Sequence, residues 1–343
     1  MSKGKILVTG GCGYIGSHTI VDLILNGYDV VSVDNLSNAD KSAMAGVEKI
    51  TGKTIENHVI DLAERQPTLQ LFQQEQFDGV IHFAALKSVG DSVHQPLRYF
   101  NNNLNSLLNV IEGMATTGVP NLIFSSSCSV YGNTTELPVT EQTARQEAES
   151  PYARTKQMGE DILHDYSHIH PDFKTVMLRY FNPAGAHPSA HLGEAPSNKA
   201  TNLVPVITET AAGKRKEMHV FGDDYDTRDG SCIRDYIHVV DLAHAHTLAL
   251  DYLREDRQVS NCETFNLGIG AGVSVLEAIQ AFEKTTGQSL NYHIAPRRVG
   301  DVVAIYANYD KAAQQLGWQP QYGIDDIMSS AWAWEMKRSK RGS

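Results

Sequence analysis

Short apolar runs alternate with longer stretches of helical periodicity along the first half of the chain, which predicts repeated strand–helix units. Lys5-Ile6-Leu7-Val8-Thr9 is the first apolar run and ends in Gly10-Gly11-Cys12-Gly13-Tyr14-Ile15-Gly16. A helical pattern follows from Ser17 to Leu25 and stops at Asn26-Gly27; a second run, Asp29 to Val33, ends in Asp34. Val59-Ile60 then leads to Asp61, Val80-Ile81-His82-Phe83 to Ala84-Ala85-Leu86-Lys87, and Leu122-Ile123-Phe124 to Ser125-Ser126-Ser127. Such alternation predicts an α/β protein built on a Rossmann-type, doubly wound parallel sheet covered on both faces. Ligands of these sheets sit at the carboxyl ends of the strands, where Asp34, Asp61, Phe83, Ala84, Lys87 and Ser127 all fall.

Beyond about residue 183 the rhythm breaks. Pro183-Ala184-Gly185-Ala186-His187-Pro188 opens a polar stretch that runs to Ala200 and reads as an ordered loop. Shorter mixed elements follow, ending in an amphipathic helix from Asp325 to Lys337 with Trp332 and Trp334, and then a basic, solvated tail from Lys337 to Arg341. The expected division is a nucleotide-binding domain over 1–182, to which the chain from about 236–268 returns, and a smaller mixed α/β C-terminal lobe over 183–343 that holds substrate and closes the cleft.

Charge and cysteine usage narrow the partners. Net charge is −11, from 29 Lys and Arg against 40 Asp and Glu, which argues against bulk binding to nucleic acid or an anionic membrane. Cys12, Cys128, Cys232 and Cys262 are scattered without a CxxC pair and read as reduced thiols of a cytosolic chain. No apolar run reaches the roughly 18 residues of a membrane helix, and Met1-Ser2-Lys3-Gly4 leads straight into a strand without a signal peptide. A cytoplasmic location is expected, with Asn35-Leu36-Ser37 and Asn133-Thr134-Thr135 unglycosylated.

Two constellations carry chemistry. Gly10, Gly13 and Gly16 would let the backbone approach a pyrophosphate, and the following helix would offer it free amides. Asp34 would accept hydrogen bonds from an adenosine ribose and repel a 2′-phosphate, which favours NAD over NADP. The second is Ser150-Pro151-Tyr152-Ala153-Arg154-Thr155-Lys156. Ser150 is a good cap and Pro151 suits a first helical turn, so Tyr152 and Lys156 are expected one turn apart on one face. A phenol with pKa near ~10 needs about 4 kcal/mol of help to act as a base at neutral pH, and an ammonium about 4 Å away supplies roughly that much at an effective dielectric of ~20. Ser127 completes the site: the phenolate takes a sugar hydroxyl proton, the serine hydrogen-bonds that oxygen, and the lysine with a cationic nicotinamide lowers the phenol's pKa. A serine-rich turn beside an ordinary surface tyrosine is the plainer alternative; the dinucleotide pattern earlier in the chain favours catalysis.

Arg234, in Gly230-Ser231-Cys232-Ile233-Arg234-Asp235-Tyr236, and Arg298, in Pro296-Arg297-Arg298-Val299-Gly300-Asp301, are candidate diphosphate clamps, with structural salt bridges as the alternative. No metal site is expected: His164 and His168, with His170 nearby, have ligand spacing but no supporting carboxylate motif. His244 and His246 are assigned to a helix flank. Asp223 to Gly230 is assigned to a loop, because Arg228 stands where a calcium ligand belongs.

Several blocks together carry a family likeness. They are Thr9-Gly10-Gly11-Cys12-Gly13-Tyr14-Ile15-Gly16-Ser17-His18, His82-Phe83-Ala84-Ala85-Leu86-Lys87-Ser88-Val89-Gly90 and Ser125-Ser126-Ser127-Cys128-Ser129-Val130-Tyr131-Gly132. Arg179-Tyr180-Phe181-Asn182-Pro183-Ala184-Gly185-Ala186-His187-Pro188, Arg234-Asp235-Tyr236-Ile237-His238-Val239 and Ala295-Pro296-Arg297-Arg298-Val299-Gly300-Asp301 complete them. Nearly end to end, the chain resembles the UDP-glucose 4-epimerases, a family of extended short-chain dehydrogenases/reductases.

The resemblance implies a tightly held NAD, oxidation of a UDP-sugar at C4, turning of the 4-keto sugar and return of hydride to its other face. That interconverts UDP-glucose and UDP-galactose, a step of galactose metabolism. By the same resemblance Tyr152 is the acid/base, Lys156 its partner and Ser127 the hydrogen-bonding helper. Gly10, Gly13, Tyr14, Ile15, Gly16, Asp34, Asn35, Leu36, Ser37, Asn38, Ala39, Asp61, Leu62, Phe83, Ala84, Ala85, Leu86, Lys87, Asn102 and Phe181 would join that trio in lining NAD. Asn182, Asn202, Leu203, His219, Val220, Phe221, Arg234, Arg298 and Asp301 would hold the UDP-sugar with Ser127 and Tyr152, mostly by its immobile UDP end. Ala85 replaces a glycine common in the family's strand-end motif. Ile305 would wall the sugar pocket, where relatives carry a bulky tyrosine or a small residue. Its intermediate size implies a side activity on UDP-GlcNAc and UDP-GalNAc. A homodimer packed through helices near 101–117 and 152–168 is also implied.

Two rivals remain at this level. Another NAD-dependent nucleotide-sugar epimerase or a 4,6-dehydratase would share NAD and the Tyr–Lys pair, but a dehydratase should carry an Asp-Glu pair where Cys128-Ser129-Val130 stands. A non-catalytic NAD-sensing protein would not need Ser127, Tyr152 and Lys156 together.

Overall fold

The computed structural model describes residues 2–196, 200–298 and 301–340. Met1, Ser197 to Lys199 of the polar loop, Val299 and Gly300 of the arginine motif, and Arg341 of the basic end lie outside the described residues.

The strands are β1 (Lys5–Thr9), β2 (Asp29–Val33), β3 (Asn57–His58), β4 (Gly79–His82), β5 (Asn121–Ser127), β6 (Lys174–Tyr180) and β7 (Asn182–Ala184). They continue as β8 (Met218–Phe221), β9 (Ile233–Arg234), β10 (Tyr236–His238), β11 (Cys262–Leu267), β12 (Val273–Ser274), β13 (Tyr292–Ala295) and β14 (Ala304–Ile305). The helices are α1 (Tyr14–Leu25), α2 (Ser42–Thr51), α3 (Arg65–Gln74), α4 (Val89–His94), α5 (Pro96–Thr117), α6 (Pro151–Ile169), α7 (Leu203–Ala211), α8 (Val239–Arg254), α9 (Val275–Thr286) and α10 (Ile324–Ser339).

A seven-stranded sheet in the order β11-β6-β5-β4-β1-β2-β3 forms the centre, every pairing parallel. Its inner strands are buried from both sides, as their unbroken apolar runs require: Ile6, Leu7, Val80, Ile81, Leu122 and Ile123 have no exposed surface. One face is covered by Ile20 and Leu23 of α1 with Leu250 and Leu253 of α8. The other is covered by Phe72 of α3, Val110 and Met114 of α5 and Leu163 of α6. Each such side chain contributes on the order of 1.5–3 kcal/mol by leaving water, so the two layers hold the sheet rigid beneath its carboxyl edge. From β1 the chain order runs outward in both directions, which opens a crevice over the carboxyl ends of β1 and β4.

The remaining strands form small sheets, β10-β7, β12-β9-β14 and β13-β8, packed with α7, α9 and α10 around Ile207, Val220, Phe282 and Ile327. No helix of the described residues is long and apolar enough to cross a membrane.

Three boundaries differ from the sequence pattern. The first helix begins at Tyr14, not Ser17, because Gly10 turns the chain at φ 66° and Gly13, at φ −70° and ψ 170°, already serves as its extended N-cap. The third strand is Asn57–His58 rather than Val59-Ile60, since only Ser32 and Val33 of β2 remain to pair with it. The expected solvated tail is helical at least to Ser339. The Lys337 ammonium donates to the Ser189 carbonyl at 3.2 Å and Arg338 pairs with Glu335 at 2.8 Å, so basic side chains at a helix C-terminus find acceptors instead of water.

Candidate active site

The glycine turn is built for close approach. A Cβ on Gly10 would stand 3.0 Å from the Ala84 amide, and one on Gly16 would collide with the Gly10 carbonyl. The turn therefore lies against the end of β4, where the Phe83 and Ala84 amides donate to Thr9 Oγ1 at 3.1 and 3.2 Å. Asp34 reaches back from the end of β2 and accepts from the Cys12 amide at 3.1 Å and the Leu36 amide at 2.8 Å. Burial pushes its carboxyl above the usual range, against those backbone hydrogen bonds. The following loop is tied locally: Asn35 accepts from the Ser37 amide at 3.0 Å and Leu36 adopts φ 61°, before Asn38 and Ala39 lead to α2. Asp61 accepts from the Ala63 amide at 3.0 Å, and the buried Leu62 carbonyl accepts from Asn109 at 2.8 Å. A backbone crevice that side chains would fill, a helix N-terminus and a ribose-height carboxylate together fit a dinucleotide.

Tyr152, Lys156 and Ser127 meet at the same edge. Ser150 caps α6 by accepting the Ala153 amide at 3.1 Å, with Pro151 in the first turn, so the local sequence sets the helix start. Ser127, the last residue of β5, caps a short 3₁₀ turn over Cys128–Tyr131. Burial pushes the Tyr152 phenol up to about 12, while its hydrogen bond with Ser127 pulls the other way. Burial also brings Lys156 down to about 8, with Glu160 raising it. The Lys156 ammonium donates to the Ser125 carbonyl and stands 6.0 Å from the centre of the Tyr152 ring.

Several supporting residues escaped the sequence reading. Asn103, on the buried side of α5, accepts from the Leu86 amide at 2.8 Å and donates to the Leu86 carbonyl at 3.1 Å and to Thr155 at 3.0 Å. It fastens the segment after β4 to α6 beside Lys156, and it holds Asn102, which donates to it at 3.0 Å. Glu160, one turn beyond Lys156, is gripped by Arg179 at 2.8 and 2.6 Å and by Ser126 at 2.6 Å, all buried. His246 lies on α8 and is buried, 4.7 Å from the Phe83 ring and 5.9 Å from the Tyr180 ring, and burial lowers it to about 4. His244, on the same helix, faces Asp22 at 3.3 Å.

Side chains from the C-terminal segments close over this edge. The Tyr14 hydroxyl donates to the Gly185 carbonyl at 2.6 Å. Glu194 faces Lys87 at 3.7 Å and accepts from Asn202 at 2.8 Å, just before Leu203 opens α7. Asn182 pairs beside Tyr236 in the β7–β10 ladder, directly after the buried Phe181. Ile305 stands opposite Arg234 in the β9–β14 ladder and packs with Phe181, Val130 and Tyr131. Arg298 donates to Asp301 at 3.0 and 3.2 Å and lies 4.6 Å over the Phe221 ring, while Arg234 is 3.8 Å from the same carboxylate. His219, Val220 and Phe221 form the β8 strand that carries this ring.

A family model described as GDP-mannose 4,6 dehydratase matches residues 7–331. A curated UDP-glucose 4-epimerase of Erwinia amylovora is 46% identical over 339 residues, 99% of this chain and 100% of that protein. The chain belongs to the UDP-glucose 4-epimerase family. A crystal structure of the epimerase from Stenotrophomonas maltophila with bound NAD and formylated UDP-arabinopyranose matches at a TM-score of 0.95 and 45% identity, covering 98% of this chain and 99% of that one. The epimerase from Bifidobacterium longum in complex with NAD+ and UDP matches at a TM-score of 0.93 and 44% identity, covering 98% and 99%. The chain is thus an enzyme of the isomerase class with the epimerase fold along nearly its whole length.

Proposed function

We propose that this protein interconverts UDP-glucose and UDP-galactose by NAD-dependent epimerisation at C4, through a 4-keto sugar, in galactose metabolism. The observation that carries the reading is the convergence of Ser127, Tyr152 and Lys156 on the edge that also holds the Gly10–Gly16 crevice and Asp34. Bound NAD would supply an acceptor and donor of hydride at C4 and, when oxidised, a positive charge that helps lower the proton affinity of the Tyr152 phenol. Gly10, Gly13, Tyr14, Ile15, Asp34, Phe83 to Lys87 and Phe181 are the residues that would hold it.

Tyr152 takes the C4 hydroxyl proton and returns it, a transfer for which a phenol started at about 12 needs an added positive charge. Ser127 fixes the hydroxyl in line with the phenol. Lys156, brought near 8, keeps a charge behind the helix start at neutral pH, and its link to the Ser125 carbonyl holds it there. Arg234 and Arg298 would exchange Asp301 for diphosphate oxygens, which anchors the end of the substrate that does not turn. The sequence after Ser127 offers Cys128 and Ser129 in place of an acid, which speaks against water elimination of the dehydratase kind.

The finer parts belong to the same proposal. Residues 1–182 with about 236–268 would form the nucleotide domain and the rest of 183–343 the sugar lobe. The protein would act in the cytoplasm as a homodimer through α5 near 101–117 and α6 near 152–168, which carry the exposed apolar Leu108 and Met158. Ile305, intermediate in size between a tyrosine and a small residue, would permit a weak side activity on the N-acetylated pair. A coupled assay of purified protein without added NAD tests the core: conversion of UDP-galactose to UDP-glucose is expected, and none from protein carrying bound NAD would overturn it. Equal efficiency on UDP-GlcNAc would overturn the substrate ranking alone.

A further inference from the structure

We propose that Glu217, His219 and His293 form a surface site for a borderline divalent metal ion of the zinc type. β8 and β13 run parallel in a register that sets His219 directly beside His293, with ring centres 4.2 Å apart. Glu217 enters from the residue before β8 and places a carboxylate oxygen 3.2 Å from His293 Nδ1. One donor atom from each residue lies within 4.8 Å of the other two. A tetrahedral ion with bonds of about 2.0–2.1 Å wants its donors about 3.3 Å apart, so the carboxylate–imidazole spacing already fits, and the exposed rings need only a rotamer adjustment to close the rest. Two imidazoles and a carboxylate suit zinc, and the open side of the ribbon leaves the fourth position to water. Desolvation pushes the Cys12, Cys128 and Cys262 thiols up to about 12, which makes them weak competitors.

The site has a second consequence, which rests on the UDP-sugar reading above. His219 is two residues from Phe221 on the same strand, 5.8 Å between rings, and Phe221 carries the Arg298 guanidinium. An ion that pins β8 to β13 would hold this ring and its arginine in one position and weaken capture of the diphosphate.

Titration calorimetry of the full chain with zinc chloride tests the site without reference to activity. One ion per chain with micromolar affinity is expected, weakened about 30-fold in His293→Ala and about 5-fold in Glu217→Gln. Wild-type affinity no tighter than about 100 µM, or His293→Ala binding as tightly as wild type, overturns the site. In parallel, zinc should raise the KM for UDP-galactose in the wild type and leave it unchanged in His293→Ala. A KM indifferent to zinc while calorimetry still shows the bound ion overturns the coupling and leaves the epimerase reading untouched.

Discussion

Two regions of the molecule handle charge in opposite ways. Around α6 the groups are largely shielded from water and their proton affinities displaced: Tyr152 to about 12, Lys156 to about 8 and His82 to about 3. At the β8–β14 side, exposed Arg298 pairs with a largely covered Asp301, and a largely covered Arg234 shares that carboxylate. Proton transfer profits from a dry site, because each neighbour then acts through a low dielectric. Diphosphate recognition profits from a site open on one side, because an arginine reached by solvent can exchange its carboxylate for a ligand at smaller cost than a fully buried pair.

The contrast is broken most directly at the tyrosine. Tyr152→Phe should lower turnover by about 10³-fold or more while bound NAD, read by absorbance after denaturation, stays at the wild-type level. Glu160→Gln strips the buried partner of Arg179 and should cost about 3 kcal/mol or more of stability in urea unfolding, whereas Arg298→Ala should leave the unfolding curve in place. Arg298→Ala should instead raise KM for UDP-galactose about 10- to 50-fold with kcat little changed, since it removes binding of the part that does not react. Asn103→Ala releases Leu86 and Thr155 together and should lower kcat about 10-fold with a smaller effect on KM, because the groups it fastens flank Lys156.

The smallest effect is in acid. His246 is lowered to about 4 by burial, below its ordinary 6.5, so the unfolded chain takes up the proton first. Its contribution to stability is complete above the ordinary value and is lost as pH falls toward 4. His246→Gln should therefore flatten the stability–pH slope between ~6.5 and ~4 by up to about 1.4 kcal/mol per pH unit, measured by urea unfolding at a series of pH values.

Much of the site could be read directly from neighbouring residues. Gly10, Gly13 and Asp34 lie within a single strand–helix–strand unit, and Ser150-Pro151 announces the helix that carries Tyr152 and Lys156, so short-range sterics and capping suffice. Asn103, Glu160 with Arg179, and Glu194 between Lys87 and Asn202 gave no such signal. Their partners are distant in sequence, and an asparagine or glutamate on a helix looks the same whether it faces water or a buried backbone.

By itself, then, the sequence determined the alternation of strands and helices, the glycine crevice and the one-turn spacing of tyrosine and lysine, because each depends on backbone geometry a few residues long. Only the tertiary structure decided where the lysine points and what proton affinity the tyrosine has. Burial and through-space charge set both, and β5, β6 and α6, separated in sequence, supply the Ser125 carbonyl, the Ser127 hydroxyl and the dry surroundings that govern them.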